Sequence, residues 1–150
     1  MRASRETVIA ALVAKLTATV FASPVNGKTT FATVSRKLKL FSDVPPQARP
    51  ALFVTEHHET SSFQSENTPV KLSMDLNLFI YTNSRAATVP ATDLNVILDA
   101  IDAALAPNCT GRQDLGGNVS HCRIEGQVMK DPGDIDGDGF LWIPIKILGP

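Results

Sequence analysis

The sequence lacks a surplus of either charge, and it has no apolar run long enough to cross a lipid bilayer. Its 14 basic and 15 acidic side chains leave a formal net charge of −1. A balance so close to zero does not indicate a nucleic-acid or anionic-membrane partner, because both select an excess of positive charge. Since a spanning helix needs about 20 apolar residues, we also expect no membrane partner. A near-neutral surface instead tolerates self-association.

Cysteine is scarce, with only Cys109 and Cys122 in the chain. Residues 1–22 contain the parts of a secretory signal, namely a basic start followed by an apolar stretch. Glu6, Lys15 and a helical stripe of apolar residues argue against export. Because disulfides are rare in the cytosol, we predict two free thiols unless the chain is exported.

Length and composition indicate one domain. The chain has 150 residues, of which 43% are hydrophobic and 19% charged, as is ordinary for a globular protein. A chain of this length buries a core without disulfides or structural metals. We therefore treat residues 1–150 as a single domain.

The clearest periodicities lie in residues 70–105. Apolar residues alternate with others over residues 70–81, which predicts a long strand with one buried face. The buried face would carry Val70, Leu72, Met74, Leu76, Leu78 and Ile80. Phe79 and Tyr81 fall on the opposite, wet face. At about 3.3 Å per residue such a strand is about 40 Å long, so it either bends through a bulge or projects beyond its own domain. After a breaker run, an amphipathic helix is predicted from apolar residues at Leu94, Ile97, Leu98, Ile101 and Leu105.

The other segments complete an α+β pattern. Ser4 is a suitable cap for a helix over residues 5–22, with apolar residues at Ile9, Leu12, Val13, Leu16 and Val20. Extended segments are predicted at 30–40, 51–57, 119–129 and 140–148, with a polar loop at 59–68 and an acidic turn at 130–139. The expected fold is one mainly antiparallel or mixed sheet, with two amphipathic helices packed on it and a C-terminal β-hairpin.

Two motifs suggest ligands but lack the required context. Residues 22–29 match the loose spelling of a phosphate-binding loop, yet a helix precedes and a strand follows, which inverts the order that such a loop needs. Asp134, Asp136 and Asp138 reproduce the first half of a calcium loop, but position twelve is Ile145 instead of a bidentate glutamate. A hairpin tip, in which Asp and Gly supply turn geometry and solubility, explains the same residues with fewer assumptions. They remain weak metal candidates.

Residues for catalysis or metal binding form no other convincing group. His57 with His58, and His121 with Cys122, are adjacent pairs whose side chains would point to opposite faces of a strand, so structural roles are favoured. No serine occupies a nucleophile elbow, and neither cysteine has a recognisable protease setting. We therefore predict no enzymatic activity, no catalytic or cofactor-binding residues, and no cofactor.

Four stretches stand out in order along the chain: FSDVP with PALFV at 41–54, LNVILDAI at 94–101, LGGNVSHCRIEG at 115–126, and WIPIKIL at 142–148. Together they resemble the tail terminator, or tail-completion, proteins of long-tailed bacteriophages. The resemblance covers most of the chain, and the order and overall length carry it. It implies an α+β structural protein of the virion neck, assembled in the host cytoplasm. Members form a hexameric ring on the head-proximal end of the tail tube, stop its polymerisation and present a surface for head joining.

The implied partners are further copies of the chain, the tube protein and a head-completion or connector protein, with DNA only passing through the ring. Interface candidates from exposure and length are Phe63, Gln64, Phe79, Tyr81, Arg36, Lys37 and Lys39, together with the acidic turn. Two alternatives stay open. One is another neck component, such as a head-completion or adaptor protein, and the other is a small metal-binding or enzymatic module.

Overall fold

The first helix is held by the cap that the sequence predicts. The computed structural model describes residues 3–83, 89–133 and 138–149. Helix α1 spans Arg5–Thr17, and the Ser4 hydroxyl accepts a hydrogen bond from the Thr7 amide at 3.1 Å. This bond satisfies one of the amide groups that a helix N-terminus leaves without an intrahelical partner.

The C-terminal end of α1 differs from the prediction, because the helix stops at Thr17 instead of near Ala22. The Thr17 hydroxyl donates to the Val13 carbonyl at 2.7 Å. The Phe21 amide already bonds to the Thr29 carbonyl, so the chain has turned back by that point. Val20, which was expected on the buried stripe, is therefore exposed.

Six strands of the described residues form one sheet. They are β1 (Thr33–Ser35), β2 (Ala51–Ser62), β3 (Lys71–Thr82), β4 (His121–Ile124), β5 (Met129–Asp131) and β6 (Gly139–Leu148). The order across the sheet is β1-β2-β3-β6, and β4 and β5 both pair with the far side of β6. Only β1 and β2 are parallel. The mixed sheet and the β5–β6 hairpin confirm the predicted α+β class.

One face of the sheet packs against both helices. Helix α2 spans Pro90–Ala104, as its periodicity predicted; it contacts β5 and β6, while α1 contacts β1 and α2. The alternating apolar side chains of β3 and β6 point into this layer and are almost fully buried. They are Leu72, Met74, Leu76, Leu78 and Ile80 with Leu141, Ile143, Ile145 and Ile147.

The opposite face carries no helix in the described part of the chain. One end of it is covered by residues 41–48, which contain two short 3-10 turns at Phe41–Asp43 and Pro46–Ala48. Beneath this cover lies a second, smaller core of Val44, Ala51, Phe53 and Tyr81. The remainder of this face is called the open face below.

Two edge segments have lengths that the sequence did not predict. The extended segment expected at 30–40 is a strand only over Thr33–Ser35, because the Lys37 amide bonds to the Ser35 hydroxyl and turns the chain away. Strand β2 runs on to Ser62 instead of ending at His57, so the predicted loop at 59–68 begins only at Phe63. This extension was not predicted because the outer half of β2 is polar and exposed on both faces, so it has no alternation of apolar and polar residues.

The segment 119–129, predicted as one strand, is broken into β4 and β5. On β6, the residues paired with β4 end at Ile145, and those paired with β5 begin at Trp142. The gap between β4 and β5 therefore lies opposite Pro144. Proline has no amide hydrogen to give to a neighbouring strand, although the Pro144 carbonyl still accepts from Glu125 at 3.2 Å. The loss of that ladder bond explains the interruption.

Candidate assembly surface

Aromatic side chains from β3 and β6 meet on the open face. The register aligns Phe53 of β2, Phe79 of β3, Trp142 of β6 and Met129 of β5 in one row across the sheet. The rings of Phe79 and Trp142 stack with centroids 5.9 Å apart and an interplanar angle of 23°. The Phe140 ring lies 6.0 Å from that of Phe79. We call Phe79, Met129, Phe140 and Trp142 the aromatic patch.

The patch is only half covered by its own chain. Trp142 is 37% exposed and Met129 is 46% exposed, while Phe79 and Phe140 are half-buried. A cluster of large apolar groups on a sheet face without a helix is typical of a protein contact. Sequence reasoning named only Phe79. The alternation of residues 140–148 was a signal for Phe140 and Trp142, but Met129 joins them only through the register.

Tyr81 does not lie on a wet face, contrary to the sequence-based expectation. It is only 6% exposed and belongs to the smaller core. Its ring contacts those of Phe41 and Phe53, at centroid distances of 5.0 and 5.3 Å. Its hydroxyl donates to the Lys39 carbonyl at 2.7 Å, and burial raises the pKa of the phenol. Residues 41–48 cover and bury this end of the face. The alternation of residues 70–81 does not predict that cover.

The strand with a partly unpaired length is β2, and not its neighbour β3, which was expected either to bend through a bulge or to project beyond the domain. Strand β3 has β2 on one side and β6 on the other over most of its length, from Ser73 onward. Strand β2 has β1 beside it only along Ala51–Phe53. Residues 55–62 therefore have no neighbouring strand on their outer side in the described part of the chain, and we call them the open edge. An unpaired edge offers amide and carbonyl groups to a strand of another molecule.

The loop after the open edge presents the predicted pair of contact residues. Phe63 and Gln64 are both exposed, and Phe63 is among the most exposed large apolar side chains described. A bulge lies within β2 between Glu56 and His58, so the bulge expected in the strand at residues 70–81 is found in its neighbour and not in β3. The bulge also brings the His57 and His58 rings to a centroid distance of 3.9 Å, so the expectation that they point to opposite faces is wrong.

The basic trio at 36–39 is divided between two environments. Arg36 is engaged within the chain, since its guanidinium bonds to Glu6 at 2.6 Å and to Glu56 at 3.0 Å. The Arg36 hydrogen bond and charge hold the pKa of the Glu6 carboxyl below its usual value. Lys37 and Lys39 are exposed, so these two cations remain available to a partner.

The weak metal candidates gain no support from the described residues. Asp134 and Asp136 lie outside the described residues, and Asp138 carries an ion pair to Arg49 at 3.4 Å. No group of three or more His, Cys, Asp or Glu side chains in the described ranges has the geometry to hold a metal ion. His121 accepts a hydrogen bond from the Gln113 amide through Nδ1 at 3.1 Å, a structural role as expected.

The two cysteines are free thiols in contrasting settings. Cys109 is exposed on a loop, whereas Cys122 is fully buried in the main core. Burial raises the pKa of the Cys122 thiol to about 12. The described helices include none that is both long and apolar enough to cross a membrane.

Comparison with known proteins adds no relative. No protein-family model matches the chain, and no curated protein matches it.

Proposed function

We propose that this chain is a structural assembly protein of a long-tailed bacteriophage, which caps the head-proximal end of the tail tube as a ring. The ring stops tube polymerisation and presents the surface that joins the head. The observation that carries this proposal is the aromatic patch, four large apolar side chains left half covered on a sheet face that bears no α-helix in the described residues. The resemblance of four stretches of sequence to tail terminators supplies the biological setting.

The positions of the exposed elements suit repeated contact between copies. The aromatic patch lies toward the β5–β6 side of the sheet, and the open edge of β2 lies on the other side of β3. A contact between two different surfaces of identical subunits closes into a ring when the rotation between copies divides a full turn. In this arrangement one copy presents the patch and its neighbour presents the open edge and the Phe63 loop.

The test combines the purified protein with purified tail tubes. We expect rings at one end of each tube in electron micrographs, and tube growth that stops when the protein is added to polymerising tube subunits. Deletion of residues 61–67 removes Phe63 and Gln64, and we expect it to weaken ring formation or joining to heads. A protein that stays monomeric and never occupies a tube end would refute the proposal. Binding to the portal instead of the tube would assign the chain to the adaptor class.

A further inference from the structure

A cavity of about 570 Å³ opens at the end of the sheet where β2 begins and β3 ends. Four separate chain segments contribute to its wall. The lining residues with polar side chains are Asn26, Lys28, Gln47, Arg49, Asn83 and Asp138. None of them belongs to the aromatic patch or the open edge.

Arg49 is the central side chain of this cavity and is only 4% exposed. Its guanidinium lies over the Phe41 ring, 3.9 Å from the centroid. Nη1 donates to Asn83 Oδ1 and Nη2 donates to the Phe41 carbonyl, both at 2.8 Å. The buried Nε has no hydrogen-bond partner among the described residues. Because a guanidinium has five N–H groups, Arg49 keeps donors to spare.

Lys28 adds a second cation, positioned by a tight turn. Asn26 and Gly27 have φ angles of 51° and 75°, and Val25 and Lys28 exchange both backbone hydrogen bonds across them. Positive φ at both central residues is the mark of a type I′ turn. The Lys28 ammonium donates to the carbonyls of Gln47 and Arg49 at 2.7 and 2.8 Å. An ammonium has three N–H groups, so one remains.

Charge is incompletely balanced among the described residues that line the cavity. There, two cations, Lys28 and Arg49, face one carboxylate, that of Asp138, whose Oδ2 is 3.4 Å from Arg49 Nη1. Charge-assisted hydrogen bonds of this type are ordinarily about 2.7–2.9 Å long, so the contact between Arg49 and Asp138 is a long one. The Asp138 side chain is also 44% exposed. One further negative charge would balance the two cations and use the spare donors of Arg49 and Lys28.

We propose that this cavity binds a carboxylate, as a free small acid or as the side chain of a partner protein. A singly charged, planar carboxylate matches both the charge deficit and the fork of guanidinium donors. Phosphate is disfavoured because it brings more charge than the cavity lacks, and because the turn at 25–28 leads into extended chain and not into a helix whose amides could surround it. This proposal is independent of the assembly role.

The test is a titration followed by two-dimensional ¹H–¹⁵N NMR on the whole chain, with sodium acetate as the probe and sodium chloride at equal ionic strength as the reference. We expect a saturable shift of the Arg49 Nε–H resonance with acetate only. A capped Gly-Asp-Gly peptide, with Gly-Asn-Gly as its control, distinguishes the two sources. Tighter binding of the Asp peptide than of acetate identifies a protein side chain, and equal affinity identifies a free acid.

Three variants separate a binding site from a purely structural cluster. Asp138→Asn removes the competing charge and should raise acetate affinity about fourfold, as expected for a unit charge about 5 Å away in a wet cavity. Lys28→Met should lower it by a similar factor, and Lys28→Arg should retain it. Lys37→Met, which removes an exposed lysine elsewhere, should change nothing.

The same spectra report whether each variant is folded, and the Lys28→Arg and wild-type titrations decide the question if another variant is not. The proposal fails if acetate causes no saturable shift, if chloride causes the same shift, or if Asp138→Asn weakens binding. It also fails if phosphate binds more tightly than acetate.

Discussion

Replacing Met129 with lysine separates the assembly role of the aromatic patch from its role in the subunit. Met129 is 46% exposed at the outer edge of the sheet, beside Trp142. A lysine stem can lie along the same apolar surface with its ammonium in water, so we expect the subunit to lose less than about 1 kcal/mol of stability. In a covered contact the ammonium must leave water. An effective penalty of about 3 kcal/mol weakens association about 100-fold or more.

The matched control is Val20→Lys, which makes the same charge change at another exposed apolar residue, after the end of α1 and away from the patch. Urea unfolding measures the stability of both variants. Sedimentation velocity and capping of purified tail tubes measure their assembly. We expect Met129→Lys alone to lose rings at concentrations where the wild type and Val20→Lys form them. Equal assembly of all three proteins would refute the assignment of the patch as a subunit contact.

Four further predictions concern the subunit itself. Tyr81→Ser should lower the free energy of unfolding by about 3–5 kcal/mol in urea titrations, because a buried ring of the smaller core is lost; a loss below about 1 kcal/mol would contradict its burial. Gly139→Ala should cost about 1–3 kcal/mol by the same measurement, since the added Cβ would clash with the Thr82 hydroxyl; an unchanged stability would show that the backbone yields freely there. A thiol reagent should modify Cys109 at once and Cys122 only on unfolding. The unfolded thiol loses its proton near pH 8.5 and folded Cys122 only near a pKa of about 12. The Cys122 contribution to stability should therefore fall as pH rises between those values, by up to about 1.4 kcal/mol per pH unit, and Cys122→Ala should remove that contribution.

The elements predicted correctly are those whose signals are local. Helix α2 and strand β3 could be predicted because each buries one face, so its apolar residues recur with a period of 3.6 in the helix and 2 in the strand. The Ser4 cap was readable because it acts within one turn of the chain. The outer half of β2 carries no such period, since neither of its faces is buried.

The candidate surfaces were predictable only in part. Phe63 and Gln64 were found because a polar loop exposes its side chains whatever the fold around it. Tyr81 was misplaced because its exposure depends on residues 41–48, which are far away in sequence and cross one end of the sheet. The carboxylate cavity was missed for the same reason, since Lys28 and Arg49 come from separate segments that only the fold brings together.

The sequence by itself determined the α+β class, the long central strand and the amphipathic helix, because alternation and helical spacing record which side of each element is buried. The tertiary structure alone decided which strand has an unpaired edge, which aromatic side chains share the half-covered patch, and where, among the described residues, two cations lie beside one carboxylate. Those features depend on register and on contacts between distant segments. Strand pairing brings together residues that are far apart along the chain, and no local pattern in the sequence predicts those contacts.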